Sequence, residues 1–219
     1  MALEVLGNGW RTLLQRAHVD LLEQGSIDAA TPLADSVATA ACDYLDAVVK
    51  WNQKMDLTAA RSPEELVDLS SCDAFVLASR TPVGANEWID IGAGAGAPGI
   101  LLQLLRPELK LTLVEPRSKR VAFLRSVCGT LGLSTSIRRE RSQSLTPLSA
   151  DVASSRATLS PGEWLEEGGR LARSAVWVLL ATGEAPTANH GWRLKQDVHY
   201  TWPLTGVPRR ALCYVPEPR

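Results

Sequence analysis

Apolar positions recur at helical spacing through the first eighty residues and at strand spacing after them. Between residues 9 and 24, Trp10, Leu13, Leu14, Ala17, Leu21 and Leu22 share one helical face, and Gly25 closes the run. A second helix is predicted from Thr31 as its cap, with Pro32 at the first helical position. Its apolar stripe is Leu33, Val37, Ala41, Tyr44, Leu45, Val48 and Trp51. Ser62-Pro63-Glu64-Glu65 has the form of a capping box, so a third helix starts there and runs through Leu66, Leu69 and Phe75. Residues 1–80 therefore read as a helical cap, and Thr81-Pro82-Val83-Gly84 as the break after it.

From there strands and helices alternate. Trp88–Ile91, Leu111–Glu115, Ser134–Arg139, Ala150–Ser154 and Ala175–Ala181 are predicted strands. Helices are predicted after residue 99, over Ser118–Leu131 and over Pro161–Ala172. Strands separated by helices imply a parallel sheet covered on both faces. The end differs, because Asp197–Trp202 and Arg210–Val215 are joined by Pro203–Pro208 with no helix between, which predicts an antiparallel hairpin inside or beside that sheet.

The first strand carries the chemistry. It leads into Asp90-Ile91-Gly92-Ala93-Gly94-Ala95-Gly96-Ala97-Pro98-Gly99, followed by a helical run, so a helix N-terminus with bare backbone is aimed at a ligand. Gly92-x-Gly94-x-x-Ala97 also satisfies the dinucleotide fingerprint, with Glu115 as its acid about twenty residues on. Two features favour S-adenosylmethionine (SAM) over a dinucleotide. Asp90 can pair with the amino group of a methionine moiety, and Pro98 lacks an N–H close to where a pyrophosphate needs one. The hairpin ending also suits a SAM-dependent methyltransferase better than a dinucleotide fold. The expected fold class is thus α/β, a Rossmann-like and mostly parallel sheet with a C-terminal antiparallel hairpin. The expected domains are a helical cap, 1–80, and a SAM-binding domain, 81–219.

In such sheets the ligand lies beyond the carboxyl ends of the strands. The strand ends offer Asp90 with Gly92, Gly94 and Gly96; Glu115, suited to both ribose hydroxyls or else to an ion pair with Arg117 or Lys119; Arg141 with Ser142 and Gln143, facing an adenine edge; and Ser155 with Arg156. Arg156 suits a SAM carboxylate or an RNA phosphate and is the one candidate catalytic side chain. The histidines, His18, His190 and His199, are scattered, and no nucleophile–base set is evident. Methyl transfer to a ring nitrogen with a free lone pair requires none, because no proton is lost from the nucleophile; alignment is what counts.

Charge sharpens the expected partner. The net charge is −1, yet residues 1–75 hold five basic and twelve acidic side chains, while residues 106–141 hold nine basic and three acidic. Arg117, Lys119, Arg120 and Arg141 are the candidate RNA-facing residues. The four cysteines, Cys42, Cys72, Cys128 and Cys213, form no C-x-x-C pair, so reduced thiols rather than structural zinc are expected, and no metal site. A hydrophobic fraction of 45% with no long apolar stretch and no evident signal peptide leads to the expectation of a cytoplasmic protein without a membrane span.

Several stretches resemble the bacterial 16S ribosomal RNA guanine-N7 methyltransferases, the glucose-inhibited-division protein B family. Lys50-Trp51-Asn52 with Met55-Asp56-Leu57-Thr58-Ala59 is similar to its K-W-N-x-x-x-N-L-T-A segment. The loop from Asp90 to Gly99 resembles its D-I-G-S-G-A-G-F-P-G, Leu113–Leu124 resembles L-V-E-x-x-x-K-R-x-x-F-L, and Ser155-Arg156-Ala157 matches S-R-A. The resemblance implies SAM as cofactor, 16S rRNA or the small ribosomal subunit as partner, a monomer, and cofactor contacts at Gly92, Ala97, Ser142, Gln143 and Arg156. A different, small-molecule methyl acceptor, or SAM binding with weak or lost transfer, is the alternative. The chain departs from the family at Ser70, in place of a histidine, at Ala97, at Gln143 and at Thr182, in place of a lysine. With Ser70 and Thr182 both expected near the mouth of the site, weaker methylation of RNA with SAM binding intact is the expectation.

Overall fold

The computed structural model describes residues 3–81, 84–188 and 191–218. The cap consists of α1 (Gly9–Glu23), α2 (Asp35–Asn52), α3 (Pro63–Val67), a π-helical turn (Asp68–Cys72) and α4 (Asp73–Arg80). The sheet domain follows as β1 (Glu87–Ile91), α5 (Gly99–Leu105), β2 (Lys110–Val114), α6 (Ser118–Thr130), β3 (Ser136–Arg138), β4 (Ala150–Arg156), α7 (Pro161–Leu171), β5 (Ala172–Leu180), β6 (Trp192–Thr201) and β7 (Pro208–Pro216). One seven-stranded sheet has the order β3-β2-β1-β4-β5-β7-β6. The first five strands are parallel, and β7 enters antiparallel to both β5 and β6. Strand order reverses between β1 and β4, which puts the switch-point crevice beside the glycine loop.

Strand alternation divides the core. Trp88, Leu113, Val152 and Trp177 face the side covered by α5, α6 and the cap, and share one buried cluster with Trp10, Tyr44, Leu45 and Phe75. Ile89, Val114, Ala153, Val176 and Leu212 face the other side, against Trp164 and Leu165 of α7. The cap thus has no separate interior, since its apolar stripe is covered by the sheet domain.

Three local expectations are corrected. α2 begins at Asp35 rather than beside Thr31, with Ala34 still extended (φ −62°, ψ 151°). The Thr31 carbonyl is instead held by Nε2 of His18 at 2.8 Å, and Asp35 supplies the first-turn acid and pairs with Arg11 at 2.8 Å. β4 runs on through Ser155 and Arg156, pairing with Val178 and Leu179 of β5, so these residues belong to a strand end rather than a loop. The third helix is interrupted by the π turn. Ser62 does cap it, its Oγ accepting from the Glu65 amide at 3.1 Å, but Glu65 reaches back to the amide of Arg61 rather than to that of Ser62. Of the break at 81–84, Pro82 and Val83 lie outside the described residues, as does His190.

The π turn has a consequence for side-chain direction. In an α-helix five residues advance the chain by about 140° beyond one turn, so Asp68 and Asp73 would diverge. The wider turn brings both toward the hairpin. Asp68, fully buried, accepts from the amides of Leu204 (3.2 Å) and Thr205 (2.9 Å) and from the Thr205 hydroxyl (2.8 Å). Asp73 accepts from the Tyr200 hydroxyl at 2.7 Å. Replacing Asp68 by Ala strands two amides and a hydroxyl, with an expected cost of about 2–4 kcal/mol. Asp43→Ala, on the exposed face of α2, is expected to stay within about 0.5 kcal/mol of wild type; denaturant midpoints check both.

Candidate functional site

The glycine loop is folded by the residues that surround it. The amides of Gly92 and Ala93 both donate to the Val114 carbonyl, at 2.9 and 3.1 Å, which turns the chain sharply off β1. Gly92 sits at φ +73°, and a Cβ there would come within 2.3 Å of Thr158 Oγ1, so no other residue fits. From the cap, the Tyr44 hydroxyl donates to the Ala95 carbonyl at 2.9 Å. From β2, Glu115 Oε2 accepts from the Gly94 amide at 3.0 Å.

Asp90 is 2% exposed. Its Oδ1 accepts from Ser154 Oγ at 3.1 Å, and that hydroxyl accepts from Trp88 Nε1 at 2.8 Å. Its Oδ2 is buried beside Gly99 and has no hydrogen-bond partner among the described residues. Burial pushes the Asp90 carboxyl up to about 7, against the pull of Ser154, of the Arg156 charge and of the Gly99 amide. Glu115 lies just past the end of β2, also 2% exposed; besides Gly94 it accepts from the Arg117 amide at 2.9 Å. Its nearest cation is Arg120, at 3.9 Å, rather than the side chain of Arg117 or Lys119.

Ser142 and Gln143 form a short 3-10 turn, pinned by Arg170, whose Nη2 donates to the Ser142 carbonyl at 2.8 Å. The turn closes a cleft with Ile91, Gly92, Val114 and Thr158, and Arg141 lies on its rim. Ala97 contributes its carbonyl, which lies 3.4 Å from Arg156 Nη2.

Arg156 ends β4 as a link between sheet and cap. Its Nη1 donates to Asp73 Oδ2 and to the Leu69 carbonyl, both at 2.8 Å. Asp73, 2% exposed, also accepts from Tyr200 and from Trp202 Nε1 (3.3 Å). Sequence reasoning missed this junction. Its members are separated by 83, 127 and 129 residues, and no local pattern connects them. Of the two departures, Thr182 is exposed just past β5, and Ser70 is 3% exposed, beside the Tyr44 hydroxyl that holds Ala95 of the glycine loop.

Arg117, Lys119 and Arg120 line one open concavity with Arg139, which ends the β3 region, and with Lys54 from the cap. Arg120 Nη2 reaches the Asp56 carbonyl at 3.4 Å across it. Arg141 stands apart, on the Ser142 side.

The sequence model of the GidB family, described as rRNA small subunit methyltransferase G, matches residues 38–196. The chain belongs to this family. Relatives named ribosomal RNA small subunit methyltransferase G include one from Herminiimonas arsenicoxydans, 30% identical over 80% of this chain and 85% of that protein, and one from Neisseria gonorrhoeae, 31% identical over 71% and 74%. Among solved structures, MtNAS in complex with MTA and tNA shares the fold, with a TM-score of 0.53 at 14% identity, over 99% of this chain and 100% of that one. Family membership makes this chain an enzyme, a SAM-dependent methyltransferase of ribosomal RNA. The residues present fit that cofactor. A buried Asp90 carboxylate oxygen with only the Gly99 amide close to it suits an ammonium group, and Glu115 has acceptor lone pairs beside the glycine loop.

The state of Asp90 predicts a pH dependence. The folded chain keeps this proton up to about pH 7, whereas an ordinary aspartic acid loses it at 3.8. The burial penalty is therefore absent below pH 3.8 and complete above pH 7, so stability of the ligand-free chain falls across that window. The expected loss is up to about 4 kcal/mol, and Asp90→Asn removes this component. Urea unfolding of both proteins at about pH 5 and about pH 8 checks the difference between the two slopes.

Proposed function

We propose that this enzyme methylates N7 of a guanine in the RNA of the small ribosomal subunit, acting as a monomer in the cytoplasm. The observation that carries the reading is the adjacency of two features. The glycine loop with its buried acid adjoins, through Glu115 and Arg120, a concavity lined by lysine and arginine. Among the described residues no helix is long and apolar enough to cross a membrane.

When bound, SAM supplies an electrophilic methyl group on a sulfonium sulfur. The assigned residues hold it as follows. Asp90 Oδ2 takes the amino group, the backbone of Gly92, Gly94, Gly96 and Ala97 lies along the methionine portion, Glu115 takes the ribose hydroxyls, and Ser142 with Gln143 meets the adenine. Arg156 is assigned a positioning role, because its Nη1 is already engaged by Asp73 and Leu69. Guanine N7 carries a lone pair and no proton, so the chain has no base to provide; its contribution is alignment and a shaped electrostatic field. Arg117, Lys119 and Arg120, with Arg139 and Lys54, hold phosphates of the flanking RNA, and Arg141 those nearer the adenine cleft.

Incubation with methyl-labelled SAM and total host RNA is expected to yield 7-methylguanine in small-subunit RNA. Label confined to small molecules would instead establish the alternative acceptor. Glu115→Ala is expected to weaken SAM binding by about 10–100-fold in calorimetry, the loss of charge-assisted hydrogen bonds; unchanged affinity would remove Glu115 from the site. RNA affinity is expected to fall steeply with salt, with the log–log slope reduced by about one in Lys119→Ala. A slope that does not change would take Lys119 off the RNA path.

A further inference from the structure

A second cavity, of about 320 Å³, opens beyond the carboxyl ends of β4 and β5, on the hairpin side of Arg156. Its walls are mainly apolar, with Leu69 from the cap, Trp164 from α7 and Val178 from β5. Its size and lining are those of a site for a flat organic group. At the mouth Trp202 and Arg209, from the two ends of the β6–β7 connection, form a stack, with the guanidinium carbon 3.6 Å from the centre of the indole ring.

The stack is built and incomplete. Trp202 is 5% exposed, and its ring is held edge-on because Nε1 donates to the Asp73 carboxylate. Arg209 is half-buried, yet none of its N–H groups finds an acceptor among the described residues: Nε is fully enclosed without a partner, and the terminal amino groups make no hydrogen bond or ion pair. Every other arginine near the junction is engaged, Arg156 by Asp73 and Arg210 by Asp197. Leaving a guanidinium desolvated and unpaired is costly unless something supplies acceptors. Burial also lowers the Arg209 pKa, the same cost seen in another quantity.

The geometry points to Arg209, held flat against the Trp202 indole, as the reader of the target purine, with the edge of the base in the plane of the guanidinium and its O6 carbonyl accepting from an Arg209 amino group. This assignment rests on the proposed guanine substrate and extends it to specificity. The guanidinium presents its N–H donors in one plane as a fixed fork, and the indole behind it holds that plane in place. Guanine presents a carbonyl acceptor at the position where adenine presents an amino donor, so an arginine there accepts one and rejects the other. A contact to O6 alone leaves N7 free. The apolar lining favours a base over a bare phosphate. Trp202 and Arg209 both lie outside residues 38–196, so the family match carries no information about them.

The test uses the full-length chain with its tryptophan indoles labelled by nitrogen-15. The Trp202 signal is identified by its loss in Trp202→Phe, and guanosine 5′-monophosphate, adenosine 5′-monophosphate and inorganic phosphate are titrated separately. The guanine nucleotide is expected to shift that signal at concentrations about tenfold lower than the adenine nucleotide or phosphate. No shift, an equal shift with adenine, or the same shift with phosphate alone would overturn the assignment. In parallel, Arg209→Ala is expected to slow single-turnover methylation of small-subunit RNA at least about tenfold and to abolish the preference for the guanine nucleotide, with SAM affinity within about twofold of wild type. Arg209→Lys keeps the charge without the planar fork and is expected to recover only part of the rate. If Arg209→Ala methylates normally, the stack is structural. If the wild-type chain methylates no ribosomal RNA, the functional reading falls, while the nucleotide titration still decides the assignment.

Discussion

One buried carboxylate fixes how the parts of this molecule meet. Asp73, at the start of α4, receives Arg156 from the end of β4 and Tyr200 and Trp202 from the hairpin. An ion pair so far from water is weak evidence of stability in itself, because desolvating two charges offsets much of their attraction. Its effect is to forbid alternatives. Any shift of the cap along the sheet leaves a buried guanidinium or a buried carboxylate without its partner, at a cost of several kcal/mol. The π turn is part of this constraint, since it alone allows Asp68 and Asp73 to face the hairpin together.

The glycine loop inherits that rigidity. It is tied from the cap by Tyr44, from β2 by Glu115 and from β4 by Arg156. Three elements distant in sequence thus hold a loop whose own residues have little side chain with which to hold themselves. The proposed transfer to a guanine N7, which moves no proton, would depend on the positions of two ligands relative to each other, and a loop held at three points would supply one of those positions in advance.

Charge is distributed along the same lines. The acidic cap spends several of its carboxylates internally, Asp46 on Trp10 and on the amides of Leu6 and Gly7, Asp68 and Asp73 on the hairpin. Four of the nine basic residues of 106–141, Arg117, Lys119, Arg120 and Arg139, collect at the β2–α6 edge, where Lys54 of the cap joins them. A nearly neutral chain therefore presents a cationic concavity next to its glycine loop, which suits the proposed interaction with a polyanion.

The sequence by itself determined the order of elements, the parallel sheet with its antiparallel end, the glycine loop and the acid after β2. Those features rest on short-range physics: the period of apolar residues, proline and glycine at turns, and a motif whose parts are adjacent in the chain. Tertiary structure decided what side chains distant in sequence do to one another. It turned Arg156 from a free strand-end cation into the partner of Asp73, buried Ser70 beside the Tyr44 hydroxyl, and separated Arg141 from the other candidate RNA contacts. It also interrupted a helix that propensity alone would continue, because two acids five residues apart had partners on the same hairpin. The helix period is read from neighbours, whereas those partners lie more than a hundred residues away, and only the folded chain brings them together.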